Sequence, residues 1–156
     1  MKFSGPLLLS TLLAISLGAA CVRGSTPAPA ALENVLVITI DTLRADRLGI
    51  YGARIVATPT IDRLAQDGAW AAQAAAPAPL TRPSHVSLFT GLSPSEHGIR
   101  DNVTPPLAAD VPLLAERFKQ AGFTTGAFVA SPVLERQSGL ARGFDWYSDR
   151  FDPQVD

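Results

Sequence analysis

Apolar and polar positions fall into blocks along this chain, and the blocks predict an α/β protein. Residues 35–40 (VLVITI) form a short, almost continuous apolar run rich in β-branched side chains, and the run ends at Asp41. Such a run is typical of a central strand that is buried on both faces of a parallel sheet. Residues 123–130 (FTTGAFVA) predict a second strand.

Three segments after the first run carry helix signals. Residues 58–68 begin with Thr-Pro, a capping hydroxyl followed by a proline in the first turn, and end at a glycine. A second helix is predicted to begin near Pro83 and a third near Pro112. The order of strands and helices predicts an α/β layered domain with crossover connections and a mostly parallel sheet.

The N-terminal residues carry an export signal and a tether. Lys2 precedes an uncharged apolar stretch at residues 6–17, and small residues follow at 18–20. This pattern predicts a signal peptide over residues 1–20, too short for a comfortable membrane span. Residues 21–33 are small, polar and proline-bearing, which is typical of a linker. The folded domain is then expected over residues 34–156.

Cys21 stands where a bacterial lipoprotein carries its lipidated first residue, directly after Gly-Ala-Ala. The sequence therefore predicts a lipoprotein of the bacterial cell envelope, attached to the membrane only through its lipid anchor. The alternative is ordinary signal cleavage, which would leave a free thiol in a periplasmic or secreted protein.

Composition narrows the function classes. With 47% hydrophobic and 17% charged residues in 156, the chain is expected to be globular and to form one domain at most. A net charge of −1 gives no electrostatic reason to expect a nucleic-acid partner. The single cysteine excludes an intrachain disulfide and a multi-cysteine metal site. The oligomeric state is left open.

Asp41 is a candidate metal ligand because of its place after the first predicted strand. Ligands in open α/β sheets bind outside the carboxyl ends of strands, and a carboxylate oxygen suits a hard divalent cation. The alternative is that Asp41 only caps a turn.

Residues 79–85 (PLTRPSH) contain the second candidate site. If Pro83 occupies the first helical position, Thr81 lies just ahead of a helix N-terminus, where amide groups and the helix dipole favour an anion. A hydroxyl there can attack a phosphoryl or sulfuryl centre when a metal lowers its pKa. Ser84 and His85 could hold anionic oxygens or relay a proton. The alternative is an unreactive Thr-Arg-Pro helix start.

Four segments in one collinear order resemble the sulfatases of the alkaline-phosphatase-like superfamily. They are the opening strand and metal-binding turn (34–46), the next helix (58–65), the nucleophile signature (79–91) and the segment after it (96–102). The resemblance extends over residues 34–151. It implies an alkaline-phosphatase-like fold, Asp41 and Thr81 among the ligands of a divalent metal, and Asn102 near the anionic oxygens of the substrate.

The chain departs from the sulfatase pattern at its centre. Sulfatases convert a Cys or Ser at the nucleophile position to formylglycine, and Thr81 cannot follow that route. A threonine resembles instead the phosphodiesterase and phosphonate-cleaving relatives, which use the hydroxyl directly. His85 replaces the motif arginine, Thr42 replaces the aspartate paired with Asp41, and the lysine and histidine that follow Gly122 in the family are absent.

The resemblance implies a metal-dependent hydrolase of sulfate, phosphate or phosphonate esters, acting on a small-molecule or glycan substrate. Its cofactor would be one divalent ion, Ca²⁺ by the resemblance, with Mg²⁺, Mn²⁺ or Zn²⁺ as alternatives. The family's remaining metal ligands come from later segments than Phe151, so these 156 residues alone are expected to be inactive. The alternative is a non-catalytic envelope lipoprotein that retains part of the fold.

Two further residue groups have structural interpretations. His97 lies in a Ser-Glu-His-Gly segment and either holds that loop or contacts substrate. Arg44 and Asp46 are expected to form a local ion pair that shapes the turn after Asp41.

Overall fold

The computed structural model of the protein describes residues 33–151. The predicted signal peptide, Cys21 and all of the predicted linker except its last residue lie outside the described residues. Residues 33–38 and residues 39–151 belong to separate compact units. Within 33–151, the helices are all too short or too polar to cross a membrane.

Four α-helices follow in chain order: α1 (Pro59–Asp67), α2 (Thr81–Thr90), α3 (Pro94–His97) and α4 (Leu114–Gln120). The prediction for residues 58–68 is confirmed, since α1 begins at the proline and Gly68 follows its end. The prediction of a helix near Pro112 is confirmed by α4. The amide of Leu113, which precedes α4, donates to the Glu116 carboxylate in its first turn. The four-residue α3 was not predicted.

Four short 3₁₀-helices connect these elements, at Ala45–Arg47, Gly49–Tyr51, Pro132–Leu134 and Arg136–Ser138. Three-residue pieces of this kind carry no apolar periodicity. The sequence pattern therefore gave no sign of them.

Two strands, β1 (Gly126–Phe128) and β2 (Trp146–Ser148), form a parallel pair. Gly126 is opposite Trp146, and Phe128 is opposite Ser148. The predicted strand at 123–130 is confirmed over its three central residues. The parallel pairing, together with the helices that precede it, agrees with the predicted α/β fold class.

The predicted buried strand at residues 35–40 is not formed. Residues 33–40 have no strand pairing in the described part of the chain, and their apolar side chains are exposed, with Leu36 83% exposed. A strand is stabilised by ladder hydrogen bonds and by cover on its faces, and within residues 33–151 parallel pairing is confined to β1 and β2. The apolar pattern alone did not supply those partners.

The hydrophobic core lies beneath α2. Its centre is Val86, which is completely buried, and Leu113 just before α4 is almost so. The other buried members of the cluster come from the loops between helices and from the 3₁₀ segments: Ile99, Leu107, Leu134 and Leu140. This packing anchors α2 through Val86 and so holds the start of the helix in place.

Candidate active site

Thr81 and Asp41 meet, although 40 residues separate them in sequence. The Thr81 hydroxyl lies 3.1 Å from Oδ2 of Asp41 and 3.3 Å from Oδ1, and donates to this carboxylate. Asp41 is exposed and Thr81 is half-buried, so the pair is open to solvent. Two oxygens at this separation can contact one cation or share one proton.

The backbone after Asp41 is in an unusual conformation. Thr42 has φ of 55°, in the left-handed region that β-branched residues disfavour. Its amide donates to Oδ1 of Asp41 at 3.1 Å, so the strained residue helps to hold the carboxylate. Such strain is of the order of 1–3 kcal/mol and is found mainly where surrounding structure enforces it, often at functional sites.

Helix α2 begins two residues earlier than predicted. Thr81 is its first residue and Leu80 precedes it, so the expectation that Thr81 lies ahead of the helix is wrong. Within residues 33–151, nothing accepts a hydrogen bond from the Thr81 amide. The dipole argument is retained, because the side chain still lies in the first helical turn.

Asn102 lies beside this helix start. Its Oδ1 accepts a hydrogen bond from the Arg82 amide at 3.0 Å. The carboxamide is thereby oriented with Nδ2, its donor atom, unused by that bond. The structure therefore brings Asp41 and Thr81 into contact, and Asn102 is bonded to the residue that follows Thr81.

His85 is bonded to the backbone of the same turn. Its Nδ1 lies 2.7 Å from the Thr81 carbonyl oxygen and its Nε2 lies 3.1 Å from the Thr39 hydroxyl. Since a carbonyl only accepts, Nδ1 carries the proton, and in the neutral ring Nε2 accepts from Thr39. The ring is next to Thr81 but, among the residues described, forms no hydrogen bond to its hydroxyl. Ser84, half-buried one residue earlier, keeps its hydroxyl without a partner over the same range.

His97 is part of the interior. It is 4% exposed, its Nδ1 accepts from the Ile99 amide at 3.1 Å, and its Nε2 lies 2.9 Å from the Ser87 hydroxyl. The structure supports the first of the two interpretations, a histidine that holds its loop. The expected ion pair between Arg44 and Asp46 is confirmed at 2.8 Å.

A cavity of about 540 Å³ adjoins the site. Its wall mixes polar and apolar side chains from the loop after α3 and from the two later 3₁₀-helices, and includes Arg82 and Asn102. Arg82 was not recognised from the sequence as a candidate. Its environment depends on carbonyl groups up to 56 residues away, which no local pattern reveals.

The donor set at Asp41 and Thr81 fits a hard divalent cation. A carboxylate and a hydroxyl are oxygen ligands of the type that Ca²⁺ and Mg²⁺ prefer. No group of three or more His, Cys, Asp or Glu side chains converges anywhere in residues 33–151. Two protein oxygens are few beside the roughly 6–8 that surround Ca²⁺, so this pair would form one part of a complete site.

Comparison with known proteins agrees with this fold. A family model described as sulfatase matches residues 33–155. The chain is 34% identical over 131 residues to steryl-sulfatase of Rattus norvegicus, covering 78% of this chain and 22% of that protein. It is 30% identical over 115 residues to Delta 4,5-hexuronate-2-O-sulfatase of Bacteroides thetaiotaomicron, covering 71% and 23%.

The solved structure of a 2-O GAG sulfatase superposes with a TM-score of 0.60 at 27% identity, covering 73% of this chain and 25% of that one. The class is therefore that of the alkaline-phosphatase-like α/β hydrolases, represented here in part. The chain belongs to the sulfatase family. It spans about a quarter of the length of the relatives that it matches.

Proposed function

We propose that the intact protein hydrolyses sulfate, phosphate or phosphonate esters by direct attack of the Thr81 hydroxyl. The observation that carries this proposal is the contact at 3.1 Å between that hydroxyl, half-buried at the start of α2, and the exposed Asp41 carboxylate. A threonine cannot become formylglycine, so the hydroxyl itself is the available nucleophile.

The residues divide the chemistry between them. The Thr81 hydroxyl loses its proton to water as its oxygen forms a bond to phosphorus or sulfur, the bond to the leaving oxygen breaks, and the leaving oxygen takes up a proton from water. Water then attacks the threonine ester, which releases the acid and restores the hydroxyl. In this proposal Asp41 orients the hydroxyl before attack, and the Thr81 amide and Asn102 Nδ2 would donate to the oxygens on which charge develops.

Ser84 and His85 have supporting roles in this proposal. The free Ser84 hydroxyl can donate to a substrate oxygen. His85 donates to the Thr81 carbonyl through Nδ1, which leaves Nε2 as its proton-exchanging atom, in contact with Thr39. Proton exchange with the site would therefore pass through the Thr39 hydroxyl or water.

A divalent cation bound at Asp41 and Thr81 would lower the pKa of the attacking hydroxyl and neutralise substrate charge. We propose Ca²⁺ because the sulfatase family is generally metal-dependent and both donors are oxygens; Mg²⁺, Mn²⁺ and Zn²⁺ are the alternatives. The relatives named for sterol and hexuronate sulfates support small-molecule or glycan esters as the substrate class.

The test compares two threonines of α2 in the intact protein. Thr81→Ala should abolish turnover of aryl sulfate, phosphate and phosphonate esters, whereas Thr90→Ala should retain it. The Thr90 hydroxyl bonds to the Val86 carbonyl within the helix and serves as the matched control. Activity of Thr81→Ala within about tenfold of the parent would remove the hydroxyl from this role.

We also propose export and lipid attachment at Cys21, supported by the sequence of residues 1–21. Acyl labelling and globomycin-sensitive processing are the expected results. A Cys21→Ala protein that is processed and partitions like the parent would contradict lipid attachment.

A further inference from the structure

Arg82 is buried where a charged residue is not expected. It is the second residue of α2, adjacent to the half-buried Thr81, and its side chain is only 5% exposed. Burial lowers the pKa of the guanidinium, with partial compensation from the charge of Asp101. Its Nε is buried without a hydrogen-bond partner in residues 33–151. Such a placement is unfavourable unless hydrogen bonds compensate the buried charge.

The guanidinium bonds to backbone carbonyls of two separate segments. One terminal nitrogen donates to the Thr104 carbonyl, and the other donates to the carbonyls of Pro105 at 2.9 Å and Ser138 at 3.2 Å. The first two carbonyls follow Asn102 by two and three residues. The Arg82 amide itself donates to the Asn102 side chain.

We propose that Arg82 is a positioning residue that fixes the carboxamide of Asn102 at the start of α2, one residue after Thr81. This inference rests on the proposed function. One residue holds the Asn102 side chain through its amide and the following backbone through its guanidinium. Because α2 is anchored in the core through Val86, residues 102–105 cannot shift relative to Thr81 without breaking these bonds.

Substitution of Arg82 should therefore lower the catalytic rate with little change in substrate affinity. A misplacement of about 1 Å at a reacting centre can reduce a rate by about 100-fold. A lysine in place of Arg82 keeps the charge but cannot bond three carbonyls with the geometry of a planar fork. We therefore expect Arg82→Lys in the intact protein to lower kcat by about tenfold or more, with KM changed much less.

Arg142 offers a matched control. Its guanidinium also bonds to backbone carbonyls, those of Gly139, Ala108, Ala109 and Val111, but within residues 33–151 it has no bond to residues 102–105. Arg142→Lys and Arg82→Lys should both lower the unfolding temperature, whereas only the second should lower kcat and weaken inhibition by vanadate. Equal kcat in the two variants would overturn the proposal.

A double-mutant cycle tests whether Arg82 acts through Asn102. Asn102→Ala should reduce kcat. Adding Arg82→Lys to the Asn102→Ala protein should then lower kcat by less than a further factor of about two. The same loss in both backgrounds would contradict the proposal. Arg82→Gln, which removes the buried charge, is the second variant; if neither Arg82 variant folds while Arg142→Lys does, Arg82 is a folding residue and the proposal fails.

Failure of this inference can be distinguished from failure of the proposed function. If Thr81→Ala is inactive and Arg82→Lys behaves like Arg142→Lys, only the positioning role is lost. If Thr81→Ala is active, the nucleophile assignment is wrong.

Discussion

Replacing His97 by leucine should destabilise the protein without impairing its chemistry. The imidazole is 4% exposed and forms two hydrogen bonds, one to Ser87 of α2 and one to the Ile99 amide just after α3. The Ile99 amide donates to Nδ1, so the proton of the neutral ring is on Nε2, which donates to the Ser87 hydroxyl. Leucine fills a similar volume but can form neither bond.

The magnitude follows from the groups left behind. The Ile99 amide and the Ser87 hydroxyl would both be buried without a partner, and each such group costs roughly 1–3 kcal/mol. The hydroxyl can turn toward a carbonyl of its own helix and recover part of its share. We therefore expect a loss of about 3 kcal/mol in the free energy of unfolding.

Urea unfolding of the intact protein measures this loss, and a cycle with Ser87→Ala identifies its origin. The double variant His97→Leu/Ser87→Ala should be more stable than the sum of the single losses predicts, by about 1 kcal/mol, because the orphaned hydroxyl is gone. Activity measured well below the unfolding transition should stay within about threefold of the parent. A stability loss under about 1 kcal/mol together with a large fall in kcat/KM would refute this reasoning and make His97 a substrate contact.

Two further predictions concern stability. Burial lowers the pKa of His97 below its ordinary 6.5. Because the unfolded chain binds this proton more readily than the folded chain, the free energy of unfolding should fall as pH drops below about 6.5. In a pH series of urea unfolding curves, His97→Leu should reduce this fall in stability. Gly143 has φ of 84°, and a Cβ there would lie 2.3 Å from the Glu116 amide nitrogen, so Gly143→Ala should lower the free energy of unfolding by about 2 kcal/mol or more. Gly122→Ala, with φ of 90° and open space around the Cβ, is the control that bears the backbone cost alone; equal thermal shifts in the two variants would contradict the steric argument.

Local signals predicted the helices better than the strands. Proline and glycine at the ends of residues 58–68 act within one turn, so α1 was placed to the residue at its start. At α2, Pro83 correctly predicted a helix but placed its start two residues too late. Proline is tolerated throughout the first turn, because the amides there have no partner within the helix. Residues 35–40 failed as a strand because pairing is a long-range property.

The site divides in the same way. Asp41 and Thr81 could be proposed from a motif, and their contact across 40 residues agrees with that proposal. The role of Arg82 could not be predicted from a motif, because its hydrogen-bond partners at Thr104, Pro105 and Ser138 are brought to it only by the folded backbone. Thr42 likewise gave no sequence sign of its left-handed conformation, which threonine disfavours.

The most direct measurement is acid-quench mass spectrometry of the intact protein during turnover of an aryl ester with a good leaving group. If the Thr81 hydroxyl is the nucleophile, a burst of product should accompany a phosphoryl or sulfuryl group on the peptide that contains Thr81. A linear time course without any covalent adduct, or an adduct on another residue, would contradict the account.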